Sequence, residues 1–210
     1  MNSEKVYEII GKVPSLYDDI VFVTGYKKSI EHFVSQLPFS VDQPIRVLDA
    51  GCGTGFYLFA ILQRFPHARV VGFDSGETLI QHLQTKINEE KLTSRARVFV
   101  ADIQSELSEI HKQTFDLIIT AGVLEYVPPE KTIRSLSRFL VPGGYFLNAA
   151  IRKNIWGNIV CKVYVCTTYS SDQNMRAFES NGFVLHNVLD VKNIIAASFR
   201  EVRLFKKIVV

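Results

Sequence analysis

Three glycines at alternate positions, Gly51, Gly53 and Gly55, follow a short apolar run that ends at Asp49. The run predicts a buried strand, and the glycines predict a sharp turn from this strand into a helix. Such a turn lets a ligand approach bare main chain, and the N–H groups that open the helix point at it. The spacing G-x-G-x-G differs from the dinucleotide fingerprint G-x-G-x-x-G, and an acid pointing into the turn would repel a pyrophosphate. The stretch therefore predicts a site for a ligand with cationic or hydrogen-bond-donating groups.

The segment from Asp49 to Gly55 resembles the first motif of the class I methyltransferases that use S-adenosylmethionine, D/E-x-G-x-G-x-G, and matches it at every position. This resemblance implies S-adenosylmethionine as the cofactor. It also implies that Asp49, Gly51, Cys52, Gly53 and Gly55 contribute to the cofactor site.

Acids also end the next two predicted strands. Asp74 lies about 20 residues beyond Gly55, the interval at which an acid in a βαβ unit reaches ribose hydroxyls. We assign Ser75 to the same site. The resemblance implies that Asp102 holds the adenine amino group and that Ile103 lies against the ring. Each acid can instead cap the following helix, but three acids at one sheet edge are hard to explain as caps.

A fourth predicted strand, Phe115–Thr120, leads into the segment Ala121–Pro129. The two resemble the "FDLI…VLEHVP" segment of small-molecule methyltransferases of the quinone-biosynthesis type, with Tyr126 where histidine is frequent. The resemblance places Ala121 in the cofactor site. Glu125 and Tyr126 follow the strand, beside the expected position of the methyl group, and are our candidates for a general base. Glu125 can equally cap the next loop, and catalysis by proximity alone needs no base.

The predicted fold is a Rossmann-like α/β sheet of seven mostly parallel strands, with helices on both faces and an antiparallel C-terminal hairpin. We expect a single domain over residues 1–210, in which residues 1–40 form an N-terminal helical lid. The resemblance implies that Tyr17 in this lid faces the methionine end of the cofactor, and the alternative is that it packs beneath the loop.

Residues 152–170 depart from the family pattern and are expected to form an insertion on the substrate side. Apolar side chains fall on one helical face of it, and we favour an ordinary buried stripe. The alternatives are a lid over an apolar acceptor or a docking face for a membrane surface. The apolar positions are Ile155, Trp156, Ile159, Val160, Val163 and Tyr164.

Composition restricts the partners and the compartment. The formal charge of +3 comes from scattered Lys and Arg residues, and the last basic residues alternate with apolar ones as on a solvated strand face. Three cysteines without a C-x-x-C pair predict free thiols and a reducing compartment. Neither a signal peptide nor a membrane-spanning run is visible, which predicts a cytoplasmic protein. The last basic residues are Arg200, Arg203, Lys206 and Lys207.

The function that the motifs favour is methyl transfer from S-adenosylmethionine to a small molecule, with an apolar or lipid-like acceptor as the narrower hypothesis. No Asn-Pro-Pro-Tyr motif follows the fourth strand, which argues against a nucleic-acid substrate, and the five histidines show no metal-ligand spacing. We therefore expect no metal. A peripheral membrane contact stays open, as does the oligomeric state. The alternatives are a non-catalytic S-adenosylmethionine-binding protein and, less favoured by the glycine spacing, a nicotinamide-dependent oxidoreductase.

Overall fold

The computed structural model describes residues 26–189, 191 and 198–209, which form a seven-stranded mixed sheet in the order β3-β2-β1-β4-β5-β7-β6. The strands are β1 Arg46–Ala50, β2 Arg69–Asp74, β3 Ala96–Val100, β4 Phe115–Ala121, β5 Leu140–Ile151, β6 Phe183–Leu189 and β7 Arg200–Lys207. The helices are α1 Tyr26–Ser35, α2 Phe56–Arg64, α3 Glu77–Glu89, α4 Pro129–Ser137, α5 Ile155–Tyr164 and α6 Ser171–Glu179, with a 3₁₀ turn at Ser108–Ile110.

The first five strands are parallel, and β1 lies at the centre between β2 and β4. Its residues Val47, Leu48 and Ala50 are fully buried, as expected for a strand covered on both faces. The strand order reverses between β1 and β4, because the chain leaves β3 and returns to the other side of β1. In open α/β sheets, ligands bind outside the carboxyl ends of the strands at such a point.

Helices cover both faces of the sheet, which confirms the predicted fold class. One core contains Phe33 of α1, Leu58 of α2 and Leu83 of α3. The other contains Ile133 of α4 and Phe178 of α6. Ser170 caps α6 in the predicted capping box with Gln173, each side chain accepting from the other's backbone N–H.

The C-terminal hairpin is antiparallel, as predicted, and β7 pairs with both β5 and β6. The expected solvated basic face is formed only in part, since Lys206 is exposed whereas Arg203 and Lys207 are half-buried. Arg203 forms an ion pair with Glu201 at 2.9 Å, and Lys207 Nζ donates to the carbonyls of Ser137 and Leu140. These side chains are engaged because they reach the segments that pack against the sheet, at Ser171 for Arg203 and at the end of α4 for Lys207.

Two expectations for the segment after β5 are wrong. The helix α5 forms, but its apolar stripe faces solvent, and Gly157 and Cys161 are its buried residues. Cys161 and Cys166 form a disulfide, and Cys52 is the free, buried cysteine. The turn after α5, with Val165 in the left-handed region, brings the two cysteines together, and the spacing of five residues gave no sign of this.

Helix α1 packs its apolar side into the core, where Ile30, Phe33 and Val34 are buried. Tyr17 and the first helix of the expected lid lie outside the described residues. Among the residues that are described, no helix is both long and apolar enough to cross a bilayer.

Candidate functional site

The glycine turn joins the carboxyl end of β1 to helix α2. Gly51, Gly53 and Gly55 all have positive φ, at 78°, 51° and 89°, a region that side chains with a Cβ rarely adopt. The N–H groups of Gly51 and Cys52 both donate to the Phe73 carbonyl, at 2.8 and 3.0 Å. The turn is therefore fixed against the end of β2.

The open space at this turn lies beside Gly53. A Cβ built on Gly53 would meet no atom within 4 Å, whereas one on Gly51 would run into the Val123 side chain. The Cys52 side chain is buried, with its Sγ against Gly72, and burial raises the pKa of the thiol. Cys52 thus has a structural role in the turn, and Gly53 offers the bare main chain that a ligand can approach.

Two carboxylates meet below this turn at the centre of the site. Asp49 is 2% exposed, and its Oδ2 has no hydrogen-bond partner among the described residues. Burial, reinforced by the neighbouring carboxylate of Asp74, raises the pKa of Asp49 to about 7, against a small opposing effect of the Leu58 N–H. An unpartnered buried carboxylate beside another acid is a place for a cationic ligand group.

Asp74 connects the glycine turn to the turn after β2. Its Oδ2 accepts from the Gly53 N–H at 3.0 Å, and its Oδ1 accepts from the Gly76 N–H at 2.9 Å. Burial raises its pKa, and these N–H groups partly oppose the shift. Each carboxylate oxygen has a second lone pair, so the side chain can still accept from ligand hydroxyls. Ser75, next to it, is exposed.

Asp102 lies just after β3 on the same edge of the sheet and is exposed, with Ile103 half-buried beside it. Its Oδ1 accepts from the Gln104 N–H at 2.9 Å, so one oxygen is used in a local turn. The alternative of a local cap is therefore partly realised, and the second oxygen remains available to a ligand.

The segment after β4 carries the candidate bases. Glu125 is 3% exposed; its Oε1 accepts from the Ile151 N–H at 2.5 Å, and its Oε2 has no partner among the described residues. Burial raises its pKa, and the Arg200 guanidinium opposes the shift. Tyr126 donates its hydroxyl to the Tyr164 carbonyl at 3.3 Å. Ala121, half-buried, ends β4 next to this segment.

Sequence reasoning missed two residues of this edge. The Thr54 hydroxyl, between two glycines of the turn, is buried without a partner among the described residues. Arg200 lies beside Gly122 and donates to the Ala149 carbonyl at 3.2 Å. The Thr54 hydroxyl could have been noticed because it lies inside the glycine motif. The position of Arg200 depends on the register between β5 and β7, which the sequence does not reveal.

These groups fit the cofactor that the first motif implies. The orphaned Asp49 oxygen suits a cationic amino group, Asp74 suits ribose hydroxyls, and the space at Gly53 admits a ligand against main chain. The chain that the structure describes contains no group of three or more His, Cys, Asp or Glu residues arranged to hold a metal ion.

Comparison with known proteins identifies the family of the chain. Residues 42–193 match the family model described as a methyltransferase domain. The chain is 30% identical over 164 residues to the ubiquinone biosynthesis O-methyltransferase of Pseudomonas fluorescens strain Pf-5, which covers 73% of this chain and 68% of the relative.

Shorter matches connect other methyltransferases. The chain is 28% identical over 100 residues to malonyl-[acyl-carrier protein] O-methyltransferase of Paenibacillus sp., covering 47% of this chain and 36% of that one. It is 39% identical over 109 residues to the human tRNA N(3)-cytidine methyltransferase METTL2B, covering 49% of this chain and 28% of that one. Of both these relatives the chain therefore spans well under half.

Among solved structures, geranyl diphosphate C-methyltransferase from Streptomyces coelicolor A3(2), in complex with Mg²⁺, geranyl-S-thiolodiphosphate and S-adenosyl-L-homocysteine, superposes with a TM-score of 0.72. The two share 15% identity, over 86% of this chain and 76% of that one. At this identity the likeness concerns the fold.

Proposed function

This chain belongs to the S-adenosylmethionine-dependent methyltransferases, and from this premise we propose that it transfers the methyl group to a small, apolar acceptor at the carboxyl edge of β4 and β5. S-adenosylmethionine is its cofactor. The observation that carries the cofactor assignment is the buried Asp49 carboxylate beneath the glycine turn and next to Asp74, since the Asp49 Oδ2 has no hydrogen-bond partner among the described residues. Two acids at this position favour a cationic nucleoside over a pyrophosphate-bearing one.

The chain's own residues would hold the cofactor and leave its methyl group facing the segment after β4. Asp49 would bind the amino group, Asp74 the ribose, and Asp102 with Ile103 the adenine. When bound, the cofactor supplies an electrophilic methyl group. The protein then has to align the acceptor, exclude water and, for an acceptor that carries a proton, remove it.

We propose Glu125 as the group that takes this proton. Its Oε2 has no partner among the described residues, and burial raises its pKa, which makes the carboxylate a stronger base. Tyr126, held against the Tyr164 carbonyl, borders the same segment and would orient the acceptor. The Ile151 N–H donates to Oε1 and holds the Glu125 side chain in place, so Oε2 is the oxygen that would accept the proton.

The acceptor class is argued from the surroundings of this edge. Helix α5 follows β5 directly and carries exposed apolar side chains, a suitable border for an apolar molecule. A relative matched over most of its length is named for ubiquinone biosynthesis, and another is named for tRNA. We propose a small molecule over a nucleic acid, because the large side chains that α5 exposes beside the site are apolar and suit an apolar molecule better than a phosphate backbone. We also propose that no metal is needed.

The test is transfer of tritiated methyl from labelled S-adenosylmethionine into organic and aqueous fractions of a cell extract. Label in the organic fraction is expected, and it should persist in the presence of a chelator. Label only in RNA, or activity restored by Mg²⁺ after chelation, would contradict the acceptor class or the metal independence. Binding of cofactor without any transfer would favour the non-catalytic alternative.

The role of Glu125 is tested once an acceptor is known. Glu125→Gln should lower kcat by about 10²-fold or more and remove the acidic limb of the pH profile, with cofactor affinity unchanged. Tyr126→Phe should mainly raise the KM of the acceptor. Unchanged turnover in both variants would leave alignment as the only contribution of this segment.

A further inference from the structure

Helix α5 presents its apolar side chains outward. Ile155 is 77% exposed, Trp156 60%, Ile159 49% and Val163 56%. At 100° per residue these four positions fall within one arc of about 100°. The buried residues Gly157 and Cys161 lie on the opposite side of the helix. The helix is thus attached to the protein by its small residues and exposes what would ordinarily be its buried face.

Local contacts define both ends of helix α5. The Asn154 side chain caps the helix by accepting from the Gly157 N–H at 2.8 Å, and a Cβ on Gly157 would run into the Arg152 carbonyl. The disulfide between Cys161 and Cys166 holds the last turn. These local contacts define the start and the end of α5, with Gly157 and Cys161 on its buried side.

Positive charges accompany the apolar arc. Arg152, Lys153 and Lys162 are exposed, and the sequence contains no acidic residue from 152 through 171. Arg152 donates to the backbone carbonyl of Arg200, and it forms no ion pair with a carboxylate of the described residues. An apolar arc that contains tryptophan, with basic residues at both ends and no acids, has the composition of a helix that lies in an anionic lipid interface.

We propose that the α5 face, defined as Ile155, Trp156, Ile159 and Val163 with the flanking Arg152, Lys153 and Lys162, docks on anionic lipid membranes. Tryptophan suits the interface because its ring is apolar and its N–H meets the headgroups. A second copy of the chain is a poorer occupant. A stable dimer needs about 20 to 30 residues from each partner, and a two-fold contact here would bring the same cations together.

The α5 face lies next to the segment that carries Glu125 and Tyr126, so docking there would also bear on the proposed function. The docking proposal itself does not require methyl transfer. Helix α5 begins four residues after β5 ends. At the C-terminal end of α5, the Tyr126 hydroxyl donates to the Tyr164 carbonyl at 3.3 Å. Just beyond the helix, the Thr167 N–H donates to the Glu125 carbonyl at 2.9 Å. Docking through α5 would therefore bring the acceptor segment to the bilayer surface. An acceptor dissolved in the bilayer would have a short path to the site.

Trp156 is the single tryptophan of the chain and provides a direct test. Vesicles of phosphatidylcholine with about one third phosphatidylglycerol should shift its emission to the blue and cosediment with the protein. Pure phosphatidylcholine vesicles, or about 0.5 M NaCl, should weaken cosedimentation at least about tenfold, because the cations act through charge. An emission maximum that does not move with anionic vesicles would overturn the proposal.

Matched variants distinguish vesicle binding through the α5 face from non-specific adsorption of the protein to vesicles. Ile159→Ser with Val163→Ser, and separately Lys153→Glu with Lys162→Glu, should each reduce vesicle binding at least about tenfold while leaving the affinity for S-adenosylhomocysteine unchanged. Val184→Thr with Val188→Thr is the control, since these side chains on β6 are each 48% exposed. Binding lost equally in the control would contradict the proposal. So would a wild-type dimer, measured by light scattering, that the serine variant dissociates.

This proposal stays distinguishable from the proposed function. Vesicle binding without methyl transfer would support the α5 face and count against the enzyme activity, and methyl transfer without vesicle binding would do the reverse.

Discussion

Asp49 is the residue whose ionisation matters most, because it is buried and its pKa lies at about 7 instead of 3.8. The unfolded chain loses this proton near pH 4, whereas the folded chain keeps it to about pH 7. Between these values the folded state binds more protons, so the free energy of unfolding falls as the pH rises. Above pH 7 the ionised Asp49 destabilises the ligand-free protein by on the order of 4 kcal/mol.

Asp49→Asn should therefore stabilise the ligand-free protein at pH 8 by roughly 1 to 4 kcal/mol, with a smaller gain at pH 5. The same variant should lose S-adenosylhomocysteine affinity, because the neutral amide offers no charge to an amino group. Thermal denaturation at the two pH values and calorimetric titration measure both effects. A variant less stable than wild type at pH 8 would contradict the assignment of an unpartnered carboxylate.

Asp74 serves the fold and the ligand at once. Asp74→Ala should raise the dissociation constant of S-adenosylhomocysteine by about 10- to 100-fold, since it removes a charged acceptor of hydrogen bonds. It also frees the N–H groups of Gly53 and Gly76, so the melting temperature without ligand must be measured alongside. An unchanged dissociation constant would contradict its place in the cofactor site.

Single residues could be predicted where the chemistry of a side chain and its distance along the chain from a motif indicate the same role. The interval between Asp74 and the glycine turn predicted an acid at this edge of the sheet, and the Asp74 carboxylate accepts from the Gly53 N–H, whereas its role toward ribose stays a prediction. The bond from Ile151 to Glu125 was not predictable, since it joins residues 26 positions apart through the meeting of two strand ends. Spacing along the chain carries no information on such a contact.

At the scale of elements, two glycines of the same turn distinguish the cost of backbone strain in stability from the effect of a side chain on cofactor binding. Gly51→Ala should lower the melting temperature by several degrees, because its φ is 78° and the new Cβ would meet Val123. Gly53→Ala meets open space and should cost only about 1 kcal/mol of stability. It should nevertheless weaken cofactor binding about tenfold or more, as the methyl group would occupy ligand space. Equal affinity in the Gly53 variant and wild type would place the cofactor elsewhere.

The disulfide at the end of α5 gives a second prediction at this scale. Closing a loop between residues five apart restricts the unfolded chain by about 2 kcal/mol. Cys166→Ser should lower the stability by about that amount under oxidising conditions and not in the presence of a reductant. Thiol titration of the unreduced, denatured protein should find one free thiol, that of Cys52. Three reactive thiols would contradict the pairing.

Element patterns were predictable where local chemistry decides them. The capping box at Ser170 and Gln173 specified the start of α6 because both hydrogen bonds are local. The face that α5 buries was predicted wrongly, since periodicity reveals an apolar stripe but not what covers it. Gly157 and Cys161, the small residues that let the helix approach the sheet, were the readable sign.

At the scale of the whole molecule, ligand binding should report which nucleoside the fold accepts. S-adenosylhomocysteine at 100 times its dissociation constant stabilises the folded state by about 2.7 kcal/mol, a rise of roughly 5 to 10 °C in melting temperature. NADH at the same concentration should leave the melting temperature unchanged. Wild type responding to NADH alone would favour the oxidoreductase. Asp74→Ala is the control, in which the stabilisation at the same ligand concentration should fall to about 0.4 to 1.4 kcal/mol.

The sheet order was predictable as a class because alternating helices and strands allow few right-handed arrangements. The acids at the carboxyl ends of β1, β2 and β3 followed from this order. The acceptor was not predictable, since it depends on how separate segments after β4 and β5 meet.

Strand β7 lies between β5 and β6, although the chain reaches it after both of them. While the protein is being synthesised, β6 has no strand to pair with, and β5 has one open edge, until β7 has left the ribosome. Open strand edges bind other chains and promote aggregation. The residues of the cofactor turn are therefore synthesised well before the strand that closes the sheet, and a pause in translation before β7 emerges would prolong the exposure of these strand edges.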